Sequence, residues 1–123
     1  MAQPGDVIEH PSFGARMTFL ETSAQTHGDR LRVELVLPPG FSMAEHVHPR
    51  QEERHQVLSG TLRARVGGWD QDYKAGERVV GPPGVSHAWR NPSDSEELHI
   101  VSEHRPASHT EHAGDGLRHR AEL

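Results

Sequence analysis

The stretch from Gly40 to Gly60, GFSMAEHVHPRQEERHQVLSG, constrains this chain more than any other. His46 and His48 stand two apart. On an extended strand, side chains at i and i+2 leave the same face, with Cα atoms about 7 Å apart, so two imidazoles can converge on one ion. Pro49-Arg50-Gln51 breaks that strand. Glu53 then opens a second extended run that ends at Ser59-Gly60, and a carboxylate returning after a turn completes a three-point claw. A further imidazole comes from downstream, where Pro82-Pro83-Gly84 makes a tight turn and His87 starts the next strand. His46, His48, Glu53 and His87 make a borderline-hard donor set, suited to one divalent ion of Fe, Mn, Ni, Cu or Zn.

A lone H-x-H carries little weight in a chain with 11 histidines. The residues around it carry more. Gly40, His46, His48, Glu53 and Gly60 satisfy G-x5-H-x-H-x4-E-x6-G, and Gly76, Pro82, Gly84, His87 and Asn91 satisfy G-x5-P-x-G-x2-H-x3-N. In these positions the chain resembles the cupin superfamily. If each were met by accident about one time in twenty, the joint chance is on the order of 10⁻¹³. The resemblance runs from roughly Gly5 to Pro106 and is to a small single-domain (monocupin) member. It implies an all-β fold, the double-stranded β-helix or jelly-roll barrel, in which strands far apart in sequence face one lumen. It also implies pairing as a homodimer.

The rest of the sequence agrees with many short strands. At 123 residues there is room for one domain. Only 33% of residues are hydrophobic, against 12 Gly and 9 Pro, a composition suited to strands joined by tight turns. Leu31, Val33, Leu35 and Leu37 alternate with Arg32 and Glu34, the clearest half-buried strand. Weaker alternation marks Ala15–Thr22 and Thr61–Val66, and Gly67-Gly68 signals a hairpin. Phe41–His48 is read as a strand carrying the first two ligands. Eight to ten strands and no convincing helix are expected, with no internal repeat and so one barrel over residues 1–106. Residues 107–123 hold only Leu117 and Leu123 as large apolar side chains and read as a polar, mobile tail. His104, His109, His112 and His119 are read as solvated.

Net charge is −5 with histidine neutral, so nothing favours nucleic acid or an anionic membrane as partner. No cysteine is present, which excludes disulfides, thiolate ligands and thiol catalysis. No apolar run follows a basic start, as a secretory signal requires, and none approaches the length of a membrane helix. A cytoplasmic protein is expected.

Three neutral imidazoles and one carboxylate leave a divalent ion with net charge near +1, and on an octahedral metal they leave positions open. Such a centre lowers the pKa of bound water, polarises a carbonyl, or holds an enediolate or catecholate through two oxygens. Alternation from Glu53 turns His55 and Val57 inward. His55 is then a candidate acid–base group, or a hydrogen-bonded residue of the barrel wall. Alternation from His87 turns Trp89 inward as pocket wall or core, and Val57 lines the same space. On the last long strand Leu98 and Ile100 are expected to face the lumen, with His99 and Glu103 outside. Trp69, beside the Gly-Gly turn, reads as surface or subunit contact.

The family resemblance implies dioxygenases, cyclases, isomerases and decarboxylases. The intact ligand set makes dioxygenase-type chemistry on a small aromatic or enolic substrate the leading reading. A metal-dependent isomerase or cyclase, a non-catalytic module binding or sensing a small ligand, and a metal that merely pins strands together remain open.

Overall fold

A computed structural model describes residues 2–10 and 14–107 of the chain. Nine strands are found among the described residues: β1 (Val7–His10), β2 (Ala15–Glu21), β3 (Leu31–Leu37), β4 (Glu52–Ser59), β5 (Leu62–Val66), β6 (Trp69–Tyr73), β7 (Arg78–Gly81), β8 (His87–Arg90) and β9 (Leu98–Arg105). No helix occurs among these residues, and none is long and apolar enough to cross a membrane. The polar tail expected after Pro106 lies, Ala107 apart, outside the described residues, as do His109, His112 and His119.

All pairings are antiparallel. Six strands form one sheet in the order β1-β2-β3-β9-β4-β7, and three form another in the order β6-β5-β8. The sheets share a core drawn from alternate positions of their strands, including Val33 of β3, Val57 of β4, Leu62 of β5, and Leu98 and Ile100 of β9. The strict alternation of β9, buried at Leu98, Ile100, Ser102 and His104, follows from a strand with one face on the core and one on solvent. His99 and Glu103 face outward, as expected. Trp69 is 82% exposed.

Phe41–His48 is not a strand. It runs beside β8 and touches it through isolated bridges, Ser42 with Arg90 and His46 with His87. Between those bridges the segment advances four residues while β8 advances three. The extra residue breaks the ladder as a bulge does. Backbone bonds still pin both histidines. His46 and His87 exchange N–H···O bonds at 2.9 Å, and the Gly84 N–H donates to the His48 carbonyl at 2.9 Å. Thus the Pro82-Pro83-Gly84 turn delivers His87 and also anchors His48.

The chain crosses from the larger to the smaller sheet at Gly60, where φ is +85°. A Cβ there would stand 2.6 Å from the Glu97 carbonyl oxygen. Left-handed backbone costs a side-chain-bearing residue about 1–2 kcal/mol, and the clash with main chain adds to it. Asn91 locks the neighbouring turn. Its Nδ2 donates to the Leu37, Pro38 and Glu96 carbonyls, and its Oδ1 accepts from the Ser93 N–H. Gly60→Ala is therefore expected to lower Tm on the order of 10 °C, measured by thermal unfolding. An unchanged Tm would show that the β4–β5 corner yields freely.

Candidate metal centre

The site forms where two cross-strand rows face each other. In the larger sheet, Glu53 of β4 is opposite His104 of β9 on one side and Gly81 of β7 on the other. In the smaller, His87 of β8 is opposite Val66 of β5 and bridges to His46. Directly opposed residues of an antiparallel pair share a face, so each row presents its side chains together. Gly81 makes the meeting possible. A Cβ at that position would lie 2.5 Å from His87 Nδ1 and 3.0 Å from Trp89 Cζ2. The missing side chain is the space that the imidazole and indole occupy.

The donor atoms of His46, His48, Glu53 and His87 all lie within 4.8 Å of one another. His87 Nε2 is 3.0 Å from His46 Nε2 and 3.0 Å from Glu53 Oε2. His48 Nε2 is 3.5 Å from Glu53 Oε1, and His46 Nε2 is 4.0 Å from Glu53 Oε2. Donors at about 2.1 Å from a common ion stand about 3 Å apart when adjacent and about 4.2 Å apart when opposite, so these four separations suit one ion, and the widest spread in the cluster would close by a few tenths of an ångström on binding. His46 Nδ1 lies 2.9 Å from the Ala44 carbonyl. That acceptor assigns the proton to Nδ1 and leaves the Nε2 lone pair facing the site. These four residues can hold one metal ion.

Glu53 is the centre of the arrangement, 3% exposed. Burial pushes its pKa up, but the imidazoles of His48, His55 and His87 outweigh it and hold the carboxyl far below the usual carboxylate range. Beyond the four donors and His55, two more groups reach it. Trp89 donates its indole N–H to Oε2 at 2.8 Å. His104 places Nδ1 3.6 Å from Oε1, beside the side-chain oxygen of Gln51 at 3.3 Å. Gln51 in turn donates to the Pro106 carbonyl at 2.9 Å.

His104 corrects the sequence reading. It is a buried residue of β9 at the base of the site, not a solvated member of a histidine-rich tail. The signal was present in the alternation of β9: Leu98 and Ile100 inward place Ser102 and His104 inward too. Trp89 lies within the core and is also bonded to the site carboxylate. His55 is buried with Nδ1 2.6 Å from Ser102 Oγ and Nε2 3.8 Å from Glu53 Oε2. Its ring stands edge-on to Trp89 at 4.2 Å. Val57, 1% exposed, is core.

A sequence model described as a cupin domain matches residues 33–102. The chain belongs to the cupin family. Its solved relatives in fold include KdgF from a Halomonas species, 17% identical with TM-score 0.69, covering 82% of this cupin and 86% of that chain. An RmlC-like cupin from Shewanella frigidimarina is 20% identical with TM-score 0.71, over 84% and 85% of the two chains. A predicted oxalate decarboxylase from Thermotoga maritima is 23% identical with TM-score 0.71, over 84% and 92%. Likenesses at this level of identity establish the jelly-roll fold alone. No curated protein matches this cupin in sequence.

Two outcomes follow from the geometry. Gly81→Ala would drive a methyl group into His87 and Trp89, and metal affinity measured by competitive chelation should fall at least about tenfold. Affinity equal to wild type would mean that the imidazole has room to retreat. The second concerns the metal-free protein. Burial holds His104 neutral and lowers its pKa to about 4. Because the folded value is depressed, its contribution is complete above the unfolded value of about 6.5 and is lost as pH falls toward 4. Between pH 7 and pH 5, metal-stripped wild type should therefore lose more stability in urea than metal-stripped His104→Gln. Parallel losses would sink this assignment.

Proposed function

We propose that this cupin is a small metal-dependent enzyme that oxidises a small aromatic or enolic substrate in the manner of a dioxygenase. The supporting observation is the one-sided burial of the donors. The side chains of Glu53 and His87 are 4% and 0% exposed, whereas those of His46 and His48 are 24% and 28% exposed. Solvent reaches the side chains of His46 and His48 but not those of Glu53 and His87, and a substrate would approach along the same edge.

A bound divalent ion would supply Lewis acidity and, if redox-active, a meeting point for O₂ and substrate. The chain does the rest. Glu53 and the three imidazoles leave a net charge near +1 at the centre, which favours an anionic enolate or catecholate oxygen over a neutral one. Trp89, His55 and Ser102 occupy the space behind Glu53 and keep water from that side. His55, tied to Ser102, stands 3.8 Å from Glu53 Oε2 on the side away from the exposed edge and is the candidate acid–base group. The reading includes a cytoplasmic homodimer with no nucleic-acid or membrane partner, for which exposed Trp69 is a suitable contact.

One observation favours a second reading, a metal-dependent module that binds or senses a small ligand without turnover. The lumen beneath Glu53 is filled by side chains, so the ligand space is confined to the rim. Oxygen uptake separates the two. Protein loaded separately with Fe(II), Mn(II), Ni(II), Cu(II) and Zn(II) is tested against catechols, flavonols and β-diketones. The enzyme reading expects uptake above the metal-free control with at least one pairing. His48→Ala should abolish it with Tm largely retained. Ligand-dependent Tm increases without uptake across the panel would favour the binding module.

A further inference from the structure

Trp89 does more than fill the core. Its indole N–H reaches Glu53 Oε2 at 2.8 Å, and the same oxygen lies 3.0 Å from His87 Nε2. Oε1 faces different neighbours, 3.5 Å from His48 Nε2 and 3.6 Å from His104 Nδ1. The two carboxylate oxygens therefore stand in different surroundings, and one of them is engaged from behind by a neutral donor.

That donor cannot follow if the carboxylate turns. Trp89 is 4% exposed and sits in β8 opposite Ala64 of β5. Its carbonyl accepts the Met43 N–H at 2.9 Å. Its ring is wedged between His55, edge-on at 4.2 Å, and His87, tilted at 4.9 Å, with Gly81 against Cζ2. A buried indole N–H that loses its acceptor is left unsatisfied, which is costly. Rotating Glu53 to offer both oxygens equally to one ion would break this bond.

We propose that Trp89 is a positioning residue that fixes Glu53 as a one-oxygen ligand and so keeps an additional coordination position free at the metal. The inference rests on the metal-centre reading, since it concerns how Glu53 meets the ion. With His46, His48 and His87 it yields four protein donors on a six-coordinate ion, leaving about two positions for water or substrate. A two-oxygen Glu53 would leave about one.

Water-proton relaxation with Mn(II) counts exchangeable waters on the ion. Wild type should show about two inner-sphere waters, and Trp89→Phe, which keeps an aromatic ring but lacks the N–H, should show about one, roughly halving the inner-sphere relaxivity. A loss of packing alone would weaken binding without changing the waters counted per bound Mn(II). Equal water counts in the two proteins would overturn the inference while leaving the metal centre intact. Wild type that binds no Mn(II), Zn(II) or other divalent ion would overturn both.

A measurement on unmutated protein stands beside it in case the variant fails to fold. The chain has 2 tryptophans, and exposed Trp69 serves as internal control. In ¹⁵N-labelled protein the Trp89 indole N–H should resist hydrogen exchange before and after Zn(II) loading, while that of Trp69 exchanges freely. Loss of Trp89 protection on Zn(II) loading would show that Glu53 leaves the indole to meet the metal, and would refute the proposal.

Discussion

A single buried carboxylate governs this structure. Glu53 lies in the space between two sheets, where an uncompensated charge is far costlier than at the surface. Five imidazoles approach within 4.0 Å of it, from His46, His48, His55, His87 and His104, and one indole N–H bonds to it. A divalent cation held by the lone pairs of His46, His48 and His87 would balance that charge. Metal and protons therefore compete for the same atoms, as in any site built from neutral imidazole and carboxylate.

The barrel brings these groups together through register. Glu53, His104 and Gly81 form one cross-strand row, and His46, His87 and Val66 form the facing one. A slip of one residue in β4 would send Glu53 and His55 outward and carry Arg54 into the lumen. Such a slip is opposed by the core residues on the same faces, Val57 in β4 and Leu98 and Ile100 in β9. Gly81 shows the same coupling on a smaller scale. A position with no side chain in one sheet is what admits an imidazole from the other.

Much of this was legible in the chain. The alternation of Leu31–Leu37 announced β3, and the two glycine-framed patterns placed His46, His48, Glu53 and His87 at one centre. What escaped has physical reasons. Phe41–His48 keeps the i, i+2 convergence of its histidines but carries one residue more than β8 opposite. A bulge of this kind depends on the partner strand, which no local pattern reveals. His104 was legible and was grouped with the wrong neighbours. The polar composition after Pro106 drew it toward the tail, whereas the period of β9 carries it inward. The Trp89–Glu53 bond joins residues 36 apart through the meeting of two sheets. Inward alternation at both positions makes such contact allowed but does not specify it. Gly81 falls at an unspecified position of the second motif pattern, and only the facing imidazole and indole explain it.

The same crowding decides where chemistry can occur. Behind Glu53 the lumen is taken up by Trp89, His55, Ser102 and His104, all buried. His87 is fully enclosed, held by the Pro82-Pro83-Gly84 turn and the β8 ladder. Anything that joins the donor cluster must arrive past His46 and His48, on the irregular segment that includes exposed Glu45 and Val47. Strands of a barrel are locked by register on both sides, so a side chain there changes only if its neighbours change with it. A bulged segment tied down at a few backbone bonds has no such constraint. On the proposed reading, selectivity among small ligands would fall to the stretch from Phe41 to Arg50, while the strands would supply the fixed charge that every ligand meets.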